Sequence, residues 1–286
     1  MPSTTSVLFA ALCALASSVT CAKELDVLKT LLEGQYSSLD AHFAEVERRF
    51  AAGQLSELAY ASAYRPFYQE QATLTSELNA WAQMRSASPY AHLARGIYFR
   101  KIGEHRRGGK YIAETPESAI AYMTDMHVQS YKDLQQALRL KPNWYLPALH
   151  LLNIAQHQGG AQGEGHKRAL MELADRAYPS NFMARSRYMT SLEPRWGGSY
   201  EDMQAFVDEC ARTCRHPSHA RWLEAMFKET QARDLPGKEN SENRRSLYHQ
   251  ALALTRDADA SFKKTYIPLA FSLCERPAYA QYPHCR

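Results

Sequence analysis

Residues 131–142 read Tyr-Lys-Asp-Leu-Gln-Gln-Ala-Leu-Arg-Leu-Lys-Pro, and this stretch decides the fold class of the chain. Leu134 and Ala137 lie three positions apart, so a helix carries both on one face. Pro142 marks the end of that helix, because proline lacks the N–H that the hydrogen-bond ladder needs. A small alanine on the apolar face lets a second helix approach closely. The stretch therefore predicts a helix that packs tightly against a neighbouring helix.

An alanine in a similar helical context recurs at Ala174, Ala211 and Ala251. Counted from Ala137, the intervals are 37, 37 and 40 residues, close to the period of two-helix repeat units. Residues 131–142 also resemble the second helix of a tetratricopeptide repeat. We therefore predict an all-α fold, a tetratricopeptide-like helical-repeat solenoid in which each repeat is a pair of helices.

The rest of the chain shows helical spacing of its apolar residues and no sustained alternation typical of a strand. Ser88-Pro89 and Thr115-Pro116 mark two helix starts, each with a capping hydroxyl and a first-turn proline. Residues 158–165 and 235–241 are predicted to be connectors because of their glycine and polar content. This pattern predicts about thirteen helices in a single domain over residues 23–286.

The composition is that of an ordinary globular protein. The chain has 286 residues, 45% of them hydrophobic and 22% charged, which excludes collagen-like and disordered classes. The net charge is +4, from 34 Lys and Arg against 30 Asp and Glu. Because this bias is small, we expect no nucleic-acid partner.

The amino terminus has the pattern of a signal peptide. Residues 1–22 carry no charge, and residues 7–19 form an apolar run of 13 residues, shorter than the roughly 20 that span a bilayer. Small residues at Thr20-Cys21-Ala22 precede the first charges, so we expect cleavage after Ala22 and a periplasmic or secreted protein. Lipidation of Cys21 is a minor alternative, because the preceding residues match a lipobox poorly. We expect no integral membrane segment after cleavage.

The mature chain would keep four cysteines, which suggests two disulfides in an oxidising compartment. Cys274 and Cys285 are expected to staple the tail, residues 274–286. Cys210 and Cys214 lie one helical turn apart and can bond locally, although pairing of each with a tail cysteine is the competing arrangement.

A metal site is a weak alternative for the same region. Cys210, Cys214, His216 and His219 place four potential ligands within ten residues. Structural zinc sites usually have a long spacer between two ligand pairs, which is missing here. We therefore expect neither a metal ion nor any other cofactor.

Two sequence blocks resemble a known family. Residues 192–199 read Leu-Glu-Pro-Arg-Trp-Gly-Gly-Ser and are followed by Tyr200, Met203 and Phe206; residues 88–98 read Ser-Pro-Tyr-Ala-His-Leu-Ala-Arg-Gly-Ile-Tyr. Both resemble the bacterial family catalogued as domain of unknown function 4034, over residues 25–227. The resemblance implies a tetratricopeptide-like helical fold, often found in exported proteins, and it supplies no activity.

Two segments are candidates for binding a ligand or a partner. Residues 95–110 concentrate positive charge and can hold an anionic ligand or an acidic surface; the alternative is a solvated helix end. The binding candidates in this segment are Arg95, Arg100, His105, Arg106, Arg107 and Lys110. In residues 195–199, Arg195 and Trp196 can form a recognition loop; alternatively, Ser199 caps the next helix and Trp196 packs under the turn.

The sequence lacks the motifs of common catalytic sites, including Gly-x-Ser-x-Gly, His-Glu-x-x-His and the phosphate-binding loop. An enzyme is therefore less expected than a binding protein. The leading hypothesis is an exported bacterial helical-repeat protein that binds another protein through a concave surface, as a scaffold or a toxin neutraliser. The alternative is an enzyme or small anionic-ligand binder with a pocket formed by residues 95–110 and 195–199.

Processing of the amino terminus provides the first test. Because the apolar run is followed by small residues, the natively expressed protein should begin at Lys23 when its amino terminus is sequenced. An intact Met1 on protein recovered from the cytoplasm would contradict export.

Overall fold

The computed structural model describes residues 25–286 except 111, 158–159, 238–240, 282–284 and 286. These residues form fourteen α-helices and no strand, which confirms the all-α prediction and is consistent with a helical-repeat fold. The helices are α1 (Val27–Leu32), α2 (Tyr36–Ala51), α3 (Glu57–Ser62), α4 (Ala72–Met84), α5 (Pro89–Arg107), α6 (Glu117–Leu140), α7 (Tyr145–Ala155), α8 (Gly160–Ala177), α9 (Met183–Ser191), α10 (Tyr200–Thr213), α11 (Ser218–Asp234), α12 (Glu242–Leu254), α13 (Ala260–Tyr266) and α14 (Pro268–Cys274). In the described ranges, no helix has the length and apolar character to cross a membrane.

Helix boundaries follow the local signals in most places. Helix α5 begins at Pro89, and the Ser88 hydroxyl accepts a hydrogen bond from the Ala91 N–H at 3.2 Å, as predicted. Helix α6 begins one residue later than predicted, with Pro116 rather than Thr115 in the capping position.

The prediction of a connector over residues 158–165 is wrong for its second part. Helix α8 already begins at Gly160, and residues 158–159 lie outside the described residues. Helix α8 packs against α7, and tertiary packing of this kind stabilises helices whose intrinsic propensity is low. A prediction from glycine content alone therefore puts the start of α8 too late in the sequence.

The helices pack in the order in which they occur along the chain. Helix α5 contacts α6, α7 contacts α8, and α11 contacts α12, so these are the helix pairs. Helices α5, α7, α9 and α11 also contact one another in series, α5 with α7, α7 with α9, and α9 with α11. This combination of contacts is the one expected of stacked two-helix repeats.

The repeat alanines occupy the second helices of the pairs. Ala137, Ala174 and Ala251 are fully buried in α6, α8 and α12, as the repeat pattern predicts. Ala211 in α10 is exposed, and its neighbour Cys210 takes the buried position. One residue corresponds to about 100° around a helix, so the predicted repeat position in α10 is wrong by one residue.

Two glycines bring α5 and α6 into close contact. A β-carbon at Gly96 would lie 2.9 Å from Leu134 Cγ, and one at Gly103 would lie 2.9 Å from Met126 Cβ. The Ser130 hydroxyl on α6 donates a 2.6 Å hydrogen bond to the Gly96 carbonyl. Larger side chains at these two positions would push the helices apart.

The carboxylate of Glu57 links the amino-terminal helices to α7 and α9. Glu57, at the start of α3, accepts hydrogen bonds from the backbone N–H groups of Phe182 and Met183 at 2.8 and 2.9 Å. The Tyr145 hydroxyl on α7 also donates to Glu57. Because these N–H groups lie at the start of α9, Glu57 caps that helix from a distant part of the chain.

Each of the two disulfides joins cysteines that lie close together in the sequence. Cys274 bonds to Cys285, with the Cα atoms 5.1 Å apart, which confirms the predicted staple. Cys210 bonds to Cys214 across 4.8 Å, so the competing pairing with the tail is wrong. The sulfur atoms of Cys210 and Cys214 are thus bonded to each other, and the neighbouring His216 ring stacks on His219 at 4.8 Å.

The state of the cysteines gives the second test. Mass spectrometry of the native protein after alkylation without reductant should find Cys210, Cys214, Cys274 and Cys285 unmodified, because these four cysteines are bonded in pairs. Replacing Cys274 and Cys285 together by serine should lower the free energy of unfolding by about 2–3 kcal/mol, measured in urea, since the staple closes a loop of roughly ten residues. Alkylation of all four residues in the native protein would contradict the account.

Candidate functional site

Two cavities adjoin Arg195, which lines both of them. The first, which we call the inner pocket, has a volume of about 380 Å³ and is lined by α5, α7, α9, α11 and α13. The second, which we call the lateral groove, has a volume of about 910 Å³ and is lined mainly by α6 and by the segment after α5. Residues 95–110 and 195–199, singled out in the sequence, therefore meet at both cavities.

The inner pocket collects cationic side chains from several helices. Five line it, against two carboxylates, those of Glu193 and Glu229. The five are Arg100, Lys101, Arg187, Arg195 and Arg233. Helices α5, α9 and α11 and the loop after α9 thus bring positive charge to one cavity.

Arg100 is the most buried of these cations, with 4% of its surface exposed. Its guanidinium pairs with Glu104, but its Nε has no hydrogen-bond partner among the described residues. Lys101 pairs with the same carboxylate at 3.0 Å. Burial alone would raise the pKa of Glu104, but Arg100 and Lys101 outweigh it and hold that pKa at about 2. One carboxylate therefore serves two cations.

Arg187 on α9 has no carboxylate partner in the described part of the chain. Its guanidinium donates a 3.0 Å hydrogen bond to the amide oxygen of Gln156. Burial, and then the positive charge of Arg100, lower the pKa of Arg187 from its usual value. Arginine nevertheless stays protonated in proteins, so this site holds a half-buried and poorly compensated charge.

Glu193 holds the loop after α9 against α11. The Glu193 side chain is buried and lies 2.6 Å from Arg195 Nε and 2.7 Å from a terminal nitrogen of Arg233. Because one carboxylate again binds two cations, the loop and α11 are fixed together at the edge of the inner pocket.

The loop at residues 195–199 is built as the capping interpretation predicts. The Ser199 hydroxyl accepts a 3.0 Å hydrogen bond from the Asp202 N–H at the start of α10. Gly197 has a φ of +93°, and a β-carbon at Gly198 would lie 2.2 Å from the Leu192 carbonyl oxygen. Trp196 departs from that interpretation, because its ring is half-buried and lines the lateral groove, edge-on to His157 at 5.3 Å.

The basic side chains of residues 95–110 lie in different parts of the structure. Arg95 is a packing residue that binds Asp133 on α6 at 2.7 Å. His105 is exposed and lies 3.3 Å from Glu70, and Arg106 is exposed and lines neither cavity. Arg107 and Lys110 line the lateral groove. Of the six candidates in this segment, only Arg100 reaches the inner pocket.

Sequence reasoning missed Arg187, Arg233 and Glu193 as parts of the pocket. The usable signal was their position: Arg187 lies in α9 and Arg233 in α11, which belong to the same series of contacting helices as α5, where Arg100 lies. In stacked repeats the first helices line one surface, so charges on them converge even when they are far apart in sequence.

The comparisons with known proteins give no assignment: no protein-family model, curated protein or solved structure matches the chain. The resemblance of residues 88–98 and 192–199 to the domain of unknown function 4034 family therefore stays a prediction.

The pocket carboxylate Glu229 gives a test of its electrostatics. Glu229 is buried and accepts hydrogen bonds from the Leu269 and Ala270 N–H groups at 2.7 and 3.0 Å. Burial outweighs these bonds and raises the pKa of Glu229 from 4.5 to about 7. Its contribution to stability is therefore fully present below about pH 4.5 and is lost as the pH rises through 7.

Glu229→Gln keeps the acceptor oxygen and removes the ionisation. Between pH 5 and pH 8, the unfolding free energy of this variant should gain about 2–3 kcal/mol relative to the wild type, measured by urea titration at both values. An unchanged difference between variant and wild type at the two pH values would show that the carboxyl titrates normally.

Proposed function

We propose that this chain is an exported helical-repeat protein that binds another protein through its concave surface, and that the inner pocket holds an acidic side chain or carboxyl terminus of that partner. Two local disulfides support export, because disulfides persist in oxidising compartments such as the periplasm. The repeat architecture supports a protein partner by analogy, since stacked helix pairs commonly bind extended ligands on their inner surface.

The observation that carries this proposal is the shortage of carboxylates in the inner pocket. Glu104 and Glu193 each serve two cations, of which only Arg233 has a further carboxylate, Asp234 at 3.3 Å. Arg187 has no carboxylate partner in the described ranges and donates to Gln156 instead. A buried cation gains most from an anionic partner in this setting, because charge-assisted hydrogen bonds are strong where water is excluded. An acidic group of a ligand would complete the pairing.

A small anionic ligand is the second candidate. The inner pocket has a volume of about 380 Å³, which falls within the range of roughly 300–1,000 Å³ common for small-molecule sites. The pocket is therefore large enough for a compact carboxylate or phosphate compound without any protein attached.

The experiment compares Arg187→Gln with Arg106→Gln. Both changes remove one positive charge, but Arg106 is exposed and lines neither cavity. Fluorescence anisotropy with labelled hexaglutamate should show saturable binding that Arg187→Gln weakens about tenfold or more and Arg106→Gln leaves nearly unchanged. Labelled hexaglutamine is the uncharged control, and thermal melts of both variants verify folding.

Small anions separate the two candidates. Succinate and inorganic phosphate should compete only weakly if the partner is a protein segment with several contacts. Tight succinate or phosphate binding without hexaglutamate binding would favour the small-ligand function. Equal loss in both arginine variants would mean that bulk surface charge, and not the inner pocket, attracts the peptide.

A further inference from the structure

The lateral groove combines an apolar wall with a cationic rim. Helix α6 and its surroundings supply the apolar side chains of Ile112, Ile120, Met123, Val128 and Ile154. Two of these are notably exposed for their type, Ile112 at 71% and Val128 at 48%. Exposed apolar side chains gathered in one cavity are typical of a ligand site.

The charged side chains at the rim of the groove are all positive. Arg107, Lys110, Lys132 and Arg195 line it, and no carboxylate does so among its described lining residues. A ligand that complements this groove must therefore bear a negative charge at one place and an apolar body at another.

Buried polar atoms without partners point to the same conclusion. His127, 7% exposed, lines the groove, and its Nε2 has no hydrogen-bond partner in the described part of the chain. Burial, and then His157, lower the pKa of His127 to about 4, so the ring is neutral at pH 7. The indole N–H of Trp196 is also buried and unpartnered. An indole N–H only donates, so its missing partner is an acceptor.

We propose that the lateral groove binds a long-chain fatty acid, with the carboxylate at the cationic rim near Trp196 and the alkyl chain along the apolar wall of α6. The groove volume of about 910 Å³ lies near the upper end of small-molecule sites, which suits one alkyl chain with its headgroup. This inference goes beyond the proposed function, because it concerns a different cavity and a different class of ligand.

The test uses the mature chain and a fluorescent fatty acid, dansyl-labelled undecanoate. The probe should bind with saturation, and palmitate should displace it. Hexadecanol, which lacks the charge, should compete at least tenfold more weakly, because the rim would gain no charge-assisted hydrogen bond. Affinity should also rise about fourfold for each methylene added between octanoate and laurate, as burial of an alkyl chain requires.

Two variants and a control test whether the probe binds in the groove. Val128→Asp puts a carboxylate on the apolar wall and should weaken probe binding at least tenfold. Leu58→Asp is the matched control, because Leu58 is 44% exposed and lines neither cavity. Trp196→Phe keeps an aromatic ring, removes the unpartnered N–H, and should weaken palmitate more than hexadecanol.

Four outcomes would overturn the proposal. The first two are absence of saturable binding and equal competition by hexadecanol and palmitate. The third is equal affinity of the probe for the Val128→Asp and Leu58→Asp variants. The fourth is preference for a phosphatidylglycerol vesicle or an acidic amphipathic peptide over palmitate, which would assign the groove to a different occupant. None of these results depends on Arg187, so the proposed function of the inner pocket can stand or fall separately.

Discussion

The close contact of α5 with α6 at Gly96 and Gly103 sets the position of both cavities. Because neither glycine has a β-carbon, the backbone of α5 lies directly against Leu134 and Met126 of α6. Arg100, on the same helix, then faces the inner pocket together with residues of α7 and α9. The amino-terminal half of α6 forms the wall of the lateral groove. Both candidate sites therefore depend on one helix–helix contact.

The inner pocket has an excess of positive charge. Burying a charge costs free energy unless a partner compensates it, and most cations here share their partners. Glu104 is divided between Arg100 and Lys101, and Glu193 between Arg195 and Arg233. With burial also raising the pKa of Glu229 to about 7, part of the remaining negative charge is absent at neutral pH. The pocket thus stays positive where an acidic ligand would bind.

The sequence contained enough to predict the helical class, several caps and the disulfide staple. Ser88 and Ser199 act through local hydrogen bonds, and Cys274 lies close to Cys285 along the chain, so short-range reasoning suffices for them. The exposure of Ala211 was not predictable in this way, because a shift of one residue turns a side chain by about 100°.

The inner pocket was beyond short-range reasoning for a different reason. Arg187 lies in the unremarkable sequence Met-Ala-Arg-Ser-Arg at residues 183–187, with nothing near it to mark a site. Its place in the pocket follows from the packing of α7 against both α5 and α9, which brings Arg187 beside Arg100 although 87 positions separate the two. Arg106 had the stronger local signal, and the structure places it on the exposed surface, outside both cavities.

The most direct measurement is the anomalous scattering of crystals soaked in selenate, a dianion that carries its own X-ray signal. If the inner pocket is an anion site, a selenium peak should lie between α9 and α11, at a position where a selenate oxygen accepts a hydrogen bond from the Arg187 guanidinium. Selenium peaks beside exposed arginines such as Arg106, with none in the pocket, would contradict the account, because they would show that the buried cations are already satisfied.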